Sequence, residues 1–418
     1  MKVLMFGWEY PPHVFGGLAT ANFGISEGLH AQGDVEITLC LPRPFGDEDH
    51  TYARIVAMNC VPIVYKNVDR DYVKQRIGNL MDPDEYYRFR DHIYADFGYM
   101  HVNDLGCMEF AGGYPSNLNE EINNYSIIAG QVARAEEFDI IHAHDWLTYP
   151  AGIAAKEATG KPLVVHVHAT DFDRSGGRVN PVVFDIEKRG MEAADKVITV
   201  SNLTRNTVIE KYGIPADKVV TVYNAVDPIR SDYNNFVHKG LDEKIVTFLG
   251  RITMQKGPEF FIEAAHKVLQ KMDNVRFVMA GNGDMMEKMV RRAASLKIMD
   301  KFSFTGFLRG HDVYSMLRMS DLYVMPSVSE PFGISPLEAM QSNVPVLISY
   351  QSGVAEILTY AIKTDFWDVD AMADAMYGVL NYPSLGKMFA KYGKEEVDSL
   401  KWENSARQIK KVYDSVVR

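Results

Sequence analysis

Short apolar runs rich in β-branched residues alternate with longer stretches of helical periodicity along most of the chain. The runs that predict strands are residues 3–6, 37–41, 140–143, 163–167, 197–200, 219–222, 245–249, 276–280, 322–325 and 344–348. Helices are predicted between many of them, for example over residues 258–270 and 285–296. Strands of this length separated by helices are typical of βαβ units and parallel sheets.

The alternation stops at a polar, helix-poor stretch, residues 227–242, and resumes near Lys244. A chain of 418 residues is also too long for one ordinary hydrophobic core. We therefore predict an α/β fold of two doubly wound, Rossmann-like domains, residues 1–226 and 227–401, which face each other across a cleft. Ligands of such sheets bind at the carboxyl ends of the strands.

One segment, around residues 66–120, does not follow the alternation and is rich in Tyr, Asp and Asn. We interpret it as an insertion in the first domain. It could bind an acceptor substrate or close over the cleft. Helices that pack on the edge of the sheet through their aromatic residues are an equally good interpretation.

Composition excludes some classes of function. The net charge of −11 argues against nucleic acid as the main partner, because a phosphate-binding surface normally carries a basic excess. Three scattered cysteines have neither a CxxC nor a metal-site spacing, which indicates a reducing, cytoplasmic setting. No apolar run approaches the roughly 18 residues of a membrane span, so we expect no stable membrane association. A homo-oligomer stays open.

The first predicted strand leads through WEYPP to Gly16 and Gly17, which open a helix. Two glycines at a helix start let the backbone approach a ligand closely and leave N–H groups free. The other interpretation is a loop that needs a positive φ. Taken alone, this pair is a weak signal.

Histidines and aspartates follow two neighbouring strands, in HAHDW and in VVHVHATDFDRSG. Asp145 and His168 stand where the strands end, so both are expected at the cleft. His166 and His168 share a face because side chains alternate along a strand. Hydrogen bonding to sugar hydroxyls suits neutral imidazole and carboxylate better than a metal site, which combines a tight and complete set of ligands. We therefore predict no metal.

Basic residues follow the first strand of the second half, in GRITMQKG. Arg251 and Lys256 can converge on one diphosphate, Arg as a bidentate fork and Lys as a compact charge. An ordinary solvated pair is the alternative. After the next strand, Gly281 and Gly283 form a tight turn in GNGD, where a nucleotide can approach.

Two glutamates bracket a turn and a helix start in EPFGISPLE. Glu330 lies in the loop, and Glu338 lies one turn inside the helix. The backbone at Phe332, Gly333 and Ile334 presents a helix N-terminus, which attracts phosphate. Carboxylates on both sides of a phosphate cradle suit a ligand that is part anion and part polyol, such as a nucleotide-sugar.

This ordered set of motifs resembles the GT-B glycosyltransferases of family 4, and in particular the members that are similar to glycogen and starch synthases. The resemblance covers most of the chain, from WEYPP and GGL through HAHDW, HATDFDRSG and YNAVD to GRITMQKG, GNGD, TGF and EPFGISPLEAM. It implies a retaining transfer of a hexose, in glycogen synthases glucose, from a nucleotide-diphosphate sugar such as ADP- or UDP-glucose to a glucan or other glycan. It implies no cofactor and no required metal ion.

The resemblance also implies roles in the second half. Arg251 and Lys256 match the basic pair that stabilises the leaving diphosphate. Glu330 matches the carboxylate beside the donor sugar, and Glu338 the one that binds the ribose hydroxyls.

In the first half, His168 matches the histidine that contacts the sugar, Asp145 an active-site acid, and Gly17 the glycine turn near the diphosphate. The first domain is then the acceptor side and the second the donor side. The last helix, residues 402–418, is expected to cross back to the first domain, as in other GT-B proteins.

One departure leaves the donor nucleotide open. Starch synthases of a neighbouring family carry a lysine in a KxGGL turn, whereas this chain has Val14 and Phe15 before the glycines. A glycosyltransferase that acts on a lipid or a cell-surface polysaccharide is the main alternative, followed by a nucleotide-sugar 2-epimerase. A dehydrogenase fits poorly because no GxGxxG follows the first strand. A non-catalytic sugar-binding protein would not be expected to retain Arg251, Lys256 and Glu330.

Overall fold

The computed structural model of the chain describes residues 1–14, 16–63, 103, 105, 107–229, 239–240 and 242–417. Two parallel sheets organise them. The first sheet contains β1 Lys2–Phe6, β2 Glu36–Leu41, β3 Arg54–Ala57, β4 Ile140–His144, β5 Leu163–Val167, β6 Lys196–Thr199 and β7 Val219–Thr221. The second contains β8 Lys244–Leu249, β9 Val275–Ala280, β10 Phe302–Gly306, β11 Leu322–Met325, β12 Val346–Ser349 and β13 Ile362–Thr364.

Helices connect nearly all of these strands. They are α1 Gly17–His30, α2 Leu118–Ala135, α3 Tyr149–Thr159, α4 Asp171–Ser175, α5 Pro181–Ala193, α6 Asn202–Tyr212, α7 Pro258–Leu269, α8 Met286–Ser295, α9 His311–Met319, α10 Ser335–Gln341, α11 Val369–Asn381, α12 Pro383–Val397 and α13 Trp402–Asp414. None of the helices in the described residues combines the length and the apolar character needed to cross a bilayer.

Both sheets are doubly wound, as the sequence predicts. The strand order is β3-β2-β1-β4-β5-β6-β7 in the first and β10-β9-β8-β11-β12-β13 in the second, with parallel pairing in both. The order reverses beside β1 and beside β8, and the carboxyl ends at such a switch point form a crevice for ligands. The cleft therefore lies where the sequence motifs place it.

The strands that sequence patterning missed are β3, β10 and β13, and all of them lie at sheet edges. Edge strands are half-exposed here, so their sequences lack the continuous apolar run of a strand buried on both faces. Most of the segment interpreted as an insertion, residues 66–120, and part of the stretch 227–242 lie outside the described residues. The domain boundaries stay predictions.

The last helix, α13, packs on the first sheet rather than on the second. Trp402 lies against α1 so closely that a Cβ at Gly24 would stand 2.0 Å from its ring, and one at Gly28 would stand 2.5 Å from its carbonyl oxygen. Further along, Ile409 and Tyr413 are fully buried in the same core as strand β1. Residues from the carboxyl-terminal end of the described chain thus complete one hydrophobic layer of the first sheet.

Candidate active site

Asp145 and His168 directly follow β4 and β5, at the carboxyl edge of the first sheet. Asp145 has a φ of 63°, a left-handed conformation that is uncommon outside glycine. Its Oδ1 accepts a hydrogen bond from the N–H of Ala169 at 3.4 Å. The loops after the two strands are therefore tied together at the cleft.

Arg174 holds Asp145 from the other side, and sequence reasoning missed it. Its Nη2 donates to Asp145 Oδ2 at 2.5 Å, and its Nη1 donates to Glu187 Oε1 at 3.0 Å. Glu187 also accepts hydrogen bonds from the N–H of Asp171 at 3.2 Å and from the hydroxyl of Tyr212. The arginine within HATDFDRSG was a signal, but its partner on α5 is visible only in the fold.

Burial dominates the electrostatics of this network. It raises the pKa of Asp145, and Arg174 opposes that rise. Burial likewise raises the pKa of Glu187 to about 7, again against the effect of Arg174. The pKa of His168 falls to about 3, first through burial and then through the positive charge of Arg174. At neutral pH His168 is therefore an uncharged imidazole.

Three more histidines lie beneath His168 on the same face of the sheet. His142, His144 and His166 are at most 1% exposed, and burial holds the pKa of each well below its usual range. The predicted pairing of His166 with His168 is seen as stacked rings whose centroids are 4.4 Å apart. Nδ1 of His144 and Nε2 of His168 are 3.0 Å apart, within hydrogen-bond distance.

Gly16 and Gly17 stand at the start of α1, as predicted. Gly16 has an extended φ of −169°, so this turn does not need glycine for a positive φ. A Cβ built on Gly17 would meet nothing within 4 Å, whereas one on Gly16 would stand 3.8 Å from Glu9 Oε1. Among the described residues the space over the helix start is open, and the approach of a ligand to it stays a prediction.

In the second half, Lys256 and Glu330 come together across 74 residues of sequence. The Lys256 ammonium contacts Glu330 Oε2 directly, and the Ser327 hydroxyl donates to the same oxygen at 3.4 Å. The exposed Arg251 donates to Gln255 Oε1 at 3.3 Å, one residue before Lys256. Lys256 and Glu330 are therefore paired where β8 and β11 end, and Arg251 lies on the same loop as Lys256.

The fold requires glycine at positions 281 and 283 for a reason that the sequence did not predict. A Cβ on Gly281 would stand 1.8 Å from the carbonyl oxygen of Gly250, and one on Gly283 would stand 2.2 Å from that of Ile252. Both glycines are required because the loops after β8 and β9 pack backbone against backbone. The packing alone accounts for both glycines, and their role in binding a nucleotide stays a prediction.

The turn before α10 needs one correction. The side chain of Phe332 is 3% exposed and packs in the hydrophobic core, so only its main chain could meet a ligand. Gly333 has a φ of 102°, a left-handed conformation that favours glycine, and the N–H groups of Gly333 and Ile334 donate to no described group. The helix that follows has only seven residues, so an anion at this turn would be bound by these N–H groups more than by a helix dipole.

The carboxyl group of Glu338 has a raised pKa and no partner among the described residues. Burial raises the pKa of its carboxyl group to about 7. Within the described part of the chain, this carboxylate has no hydrogen-bond or ion-pair partner. A half-buried carboxylate of this kind gains most from a ligand that brings hydroxyl donors to it.

The two halves touch at the cleft. The Ser329 hydroxyl donates to Asp173 Oδ1 at 2.5 Å, which joins the residue before Glu330 to the residue before Arg174. Beside it, a Cβ on Gly176 would stand 2.2 Å from the methyl carbon of Met254, so the short α4 fits against the Lys256 loop. The loops that carry the two half-sites are therefore in direct contact.

A separate cavity of about 690 Å³ lies near the connection between the two sheets. Asp227, Gln341 and Trp402 line it, and each contributes a buried polar atom without a partner among the described residues. Burial and the neighbouring Glu27 raise the pKa of Asp227 to about 7. This cavity lies apart from the cluster around Lys256 and was not foreseen from the sequence.

Comparison with known families agrees with this geometry. Residues 119–230 match the model described as Glycosyltransferase Family 4, and residues 230–396 match the one described as Glycosyl transferases group 1. The structure of HepE from Anabaena in complex with UDP and glucose superposes with a TM-score of 0.68 at 16% identity, over 99% of this chain and all of that one. That likeness supports the fold alone.

Full-length relatives support the family. An uncharacterized glycosyltransferase of Methanocaldococcus jannaschii is 30% identical over 99% of this chain and 98% of its own length. A glycogen synthase of Mycobacterium tuberculosis is 24% identical over 99% of this chain and 94% of its own length. With its two doubly wound sheets, its cleft and these relatives, the chain belongs to the family 4 glycosyltransferases of the GT-B fold.

Proposed function

We propose that this glycosyltransferase moves glucose, with retention of the anomeric configuration, from UDP- or ADP-glucose to a glucan acceptor, as a glycogen synthase does. The observation that carries the proposal is the contact of Lys256 with Glu330 at the carboxyl edge of the second sheet. A cation for the departing phosphate and a carboxylate for the sugar are needed side by side at the bond that breaks. The glycogen synthase among the full-length relatives supports the choice of sugar and acceptor.

In this mechanism the bond between the anomeric carbon and the diphosphate oxygen breaks first. Lys256, Arg251 and the free N–H groups near Gly333 meet the charge that develops on the diphosphate. Such preorganised donors supply the largest kind of catalytic effect. Glu330 orients the sugar and stabilises its cationic transition state without forming a bond to it.

The acceptor hydroxyl then attacks from the face that the diphosphate leaves. Its proton passes to an oxygen of the departing phosphate, so no separate general base is required. His168, as a neutral imidazole, hydrogen-bonds a sugar hydroxyl from the first sheet, and Asp145 is fixed beside it by Arg174. Glu338 accepts hydrogen bonds from the ribose hydroxyls.

The test is a matrix of donors and acceptors. The protein is incubated with UDP-, ADP- or GDP-glucose, with and without glycogen, and release of nucleotide diphosphate and elongation of glycogen are measured. Glycogen-dependent release with one donor is the expected result, without any added divalent cation. Product analysis that finds an altered free sugar, or transfer only to lipid extracts, would replace the glucan assignment with one of the alternatives.

Retention is tested on the product itself. Susceptibility of the new linkage to an α-specific glucosidase is expected, since the donor is an α-linked sugar. Two variants test whether the Glu330 carboxylate is needed for the transfer. Glu330→Gln should lose activity. Glu396→Gln should keep it, because the Glu396 carboxylate accepts hydrogen bonds from the N–H groups of Thr359 and Tyr360, away from the cleft.

A further inference from the structure

We propose that His142, His144 and His166 form a buried tri-histidine site for a divalent transition metal such as zinc, beneath the sugar-binding cleft. This goes beyond the transfer reaction, and it revises the sequence-based expectation of no metal. One ring nitrogen from each of the three histidines lies within 4.8 Å of the others. The three side chains come from adjacent strands, because His144 pairs in register with His166.

Unpartnered nitrogens are the first argument. Nε2 of His142, Nε2 of His144 and both nitrogens of His166 are buried and have no hydrogen-bond partner among the described residues. Leaving a buried polar atom unsatisfied costs about 1–3 kcal/mol, so native folds seldom retain several at one place. A metal ion that binds one nitrogen of each ring satisfies three of the four.

Ring spacing is the second argument. With bonds of about 2.0–2.1 Å to zinc, the centroids of two imidazoles on a tetrahedral ion lie roughly 5 Å apart. The centroids of His142 and His166 are 5.4 Å apart, and those of His144 and His166 are 5.3 Å apart. His142 and His144 are closer, at 4.1 Å, and the ring of His166 is inclined by only 16° to that of His142 and by 28° to that of His144. Rotation of the rings is therefore needed to point one nitrogen of each at a common ion, and a water molecule takes the fourth tetrahedral position.

The outer hydrogen bonds are the third argument. Metal-binding histidines usually engage their second ring nitrogen in a hydrogen bond, which fixes the tautomer. Nδ1 of His142 is 2.7 Å from the hydroxyl of Tyr413, and Nδ1 of His144 is 3.0 Å from Nε2 of His168. In both rings it is Nε2 that is left over for the ion.

The metal has a definite consequence for the cleft. A neutral imidazole that binds metal through Nε2 carries its proton on Nδ1. His144 then donates to Nε2 of His168, and His168 must hold its own proton on Nδ1. The buried ion thus makes His168 a hydrogen-bond donor toward the sugar, and Tyr413 ties the last helix to the same site.

Metal content is the first measurement. The full-length protein, freed of any affinity tag and dialysed against a weak chelator, is analysed for metals after growth with zinc and after cobalt exchange. About one equivalent of zinc, and the visible absorption of tetrahedral cobalt after exchange, are expected. A folded protein that binds less than about 0.1 equivalent overturns the proposal and leaves a buried water as the partner of these nitrogens.

Variants assign the site. His166→Leu and the more conservative His166→Gln are each expected to lose the metal, whereas the exposed His30→Ala retains it. Tyr413→Phe is expected to keep the stoichiometry and weaken affinity by about 10–100-fold. If the His166 variants do not fold, nitrogen NMR of the wild-type rings decides, because the protein with zinc should carry the His168 proton on Nδ1. A proton on Nε2 contradicts the proposal.

Discussion

The two halves of the candidate active site differ in how far the protein itself provides partners for their charged groups. On the first sheet, Arg174 pairs with both Asp145 and Glu187, and these carboxylates are almost fully buried. On the second, Arg251 is exposed, and Glu338 lacks a protein partner in the described part of the chain. Among the described residues of that half-site, Lys256 and Glu330 form a close ion pair.

The difference indicates a division of labour. The half-site on the first sheet is preorganised by these ion pairs, so we expect the loss of its residues to lower stability. The half-site on the second sheet keeps its charged groups available to a ligand, so we expect changes there to affect turnover and binding with little cost to the fold. Each experiment below changes a residue of one half-site, or of the contact between them, and measures its effect on stability, turnover or binding.

The largest effect is expected for Arg174→Leu. Removal of this guanidinium leaves Asp145 and Glu187 buried without a counter-charge, which should lower the free energy of unfolding by about 3–5 kcal/mol. Urea denaturation measures it. The matched control is Arg189→Leu, because Arg189 pairs with Asp185 on an exposed helix face and should cost about 0.5 kcal/mol or less. Equal losses in both variants would show that this network does not preorganise the half-site on the first sheet.

Lys256→Ala should affect turnover rather than stability. Loss of one preorganised donor to the leaving group typically lowers kcat by about 10²–10³-fold. Steady-state kinetics with the preferred donor measure the loss, and thermal unfolding should shift little. Lys288→Ala is the control, since Lys288 forms an exposed pair with Glu259 on the same domain. Near-normal turnover in Lys256→Ala would remove the leaving-group role.

Glu338 gives a pH-dependent prediction. Its pKa is raised from the ordinary value to about 7, so it becomes ionised as the pH rises from 6 to 8. Ribose hydroxyls donate to the ionised form, so nucleotide diphosphate should bind up to about tenfold more tightly at pH 8 than at pH 6. Glu338→Gln should lose this extra dependence, because titration of the phosphates is common to both proteins. Isothermal calorimetry compares the two profiles, and identical slopes would argue against the ribose contact.

The same shift has a consequence for stability. Between its ordinary pKa and about 7, the folded protein holds a proton on Glu338 that the unfolded chain releases, so this group favours folding less as the pH rises. Without nucleotide, Glu338→Gln should therefore be the more stable protein at pH 8. That outcome would mark Glu338 as a residue retained for binding.

The smallest effect is expected at the contact between the halves. Ser329→Ala removes the hydrogen bond to Asp173, which is worth about 0.5–1.5 kcal/mol. The KM for the donor should change by no more than about tenfold, with kcat nearly constant. Small-angle scattering with and without nucleotide diphosphate should show a wider free cleft in the variant. Unchanged scattering and KM would mean that the two halves are held by other contacts.

The pattern of apolar and polar residues predicted the features that depend on residues close together in the chain, namely the interior strands and the positions of the motifs. Interior strands carry continuous apolar runs, so they were found, whereas the half-exposed β3, β10 and β13 were not. Motif positions were also readable, because each stands directly after a strand.

Pairings were not readable. Lys256 meets Glu330 across 74 residues, and Arg174 reaches Glu187 on another helix, so only packing brings these charges together. The sequence also could not tell that Phe332 turns its ring into the core, or that Gly281 is required by a neighbouring carbonyl.

The position of α13 against α1 sets the timing of folding during synthesis. The layer over β1 includes Trp402, Ile409 and Tyr413, which leave the ribosome after the whole second sheet. At about 5–20 residues per second, the roughly 190 residues after position 226 take on the order of 10–40 s to make. Until then the part of this layer that α13 covers stays exposed, so we expect the amino-terminal half to finish folding only after the carboxyl-terminal half has emerged.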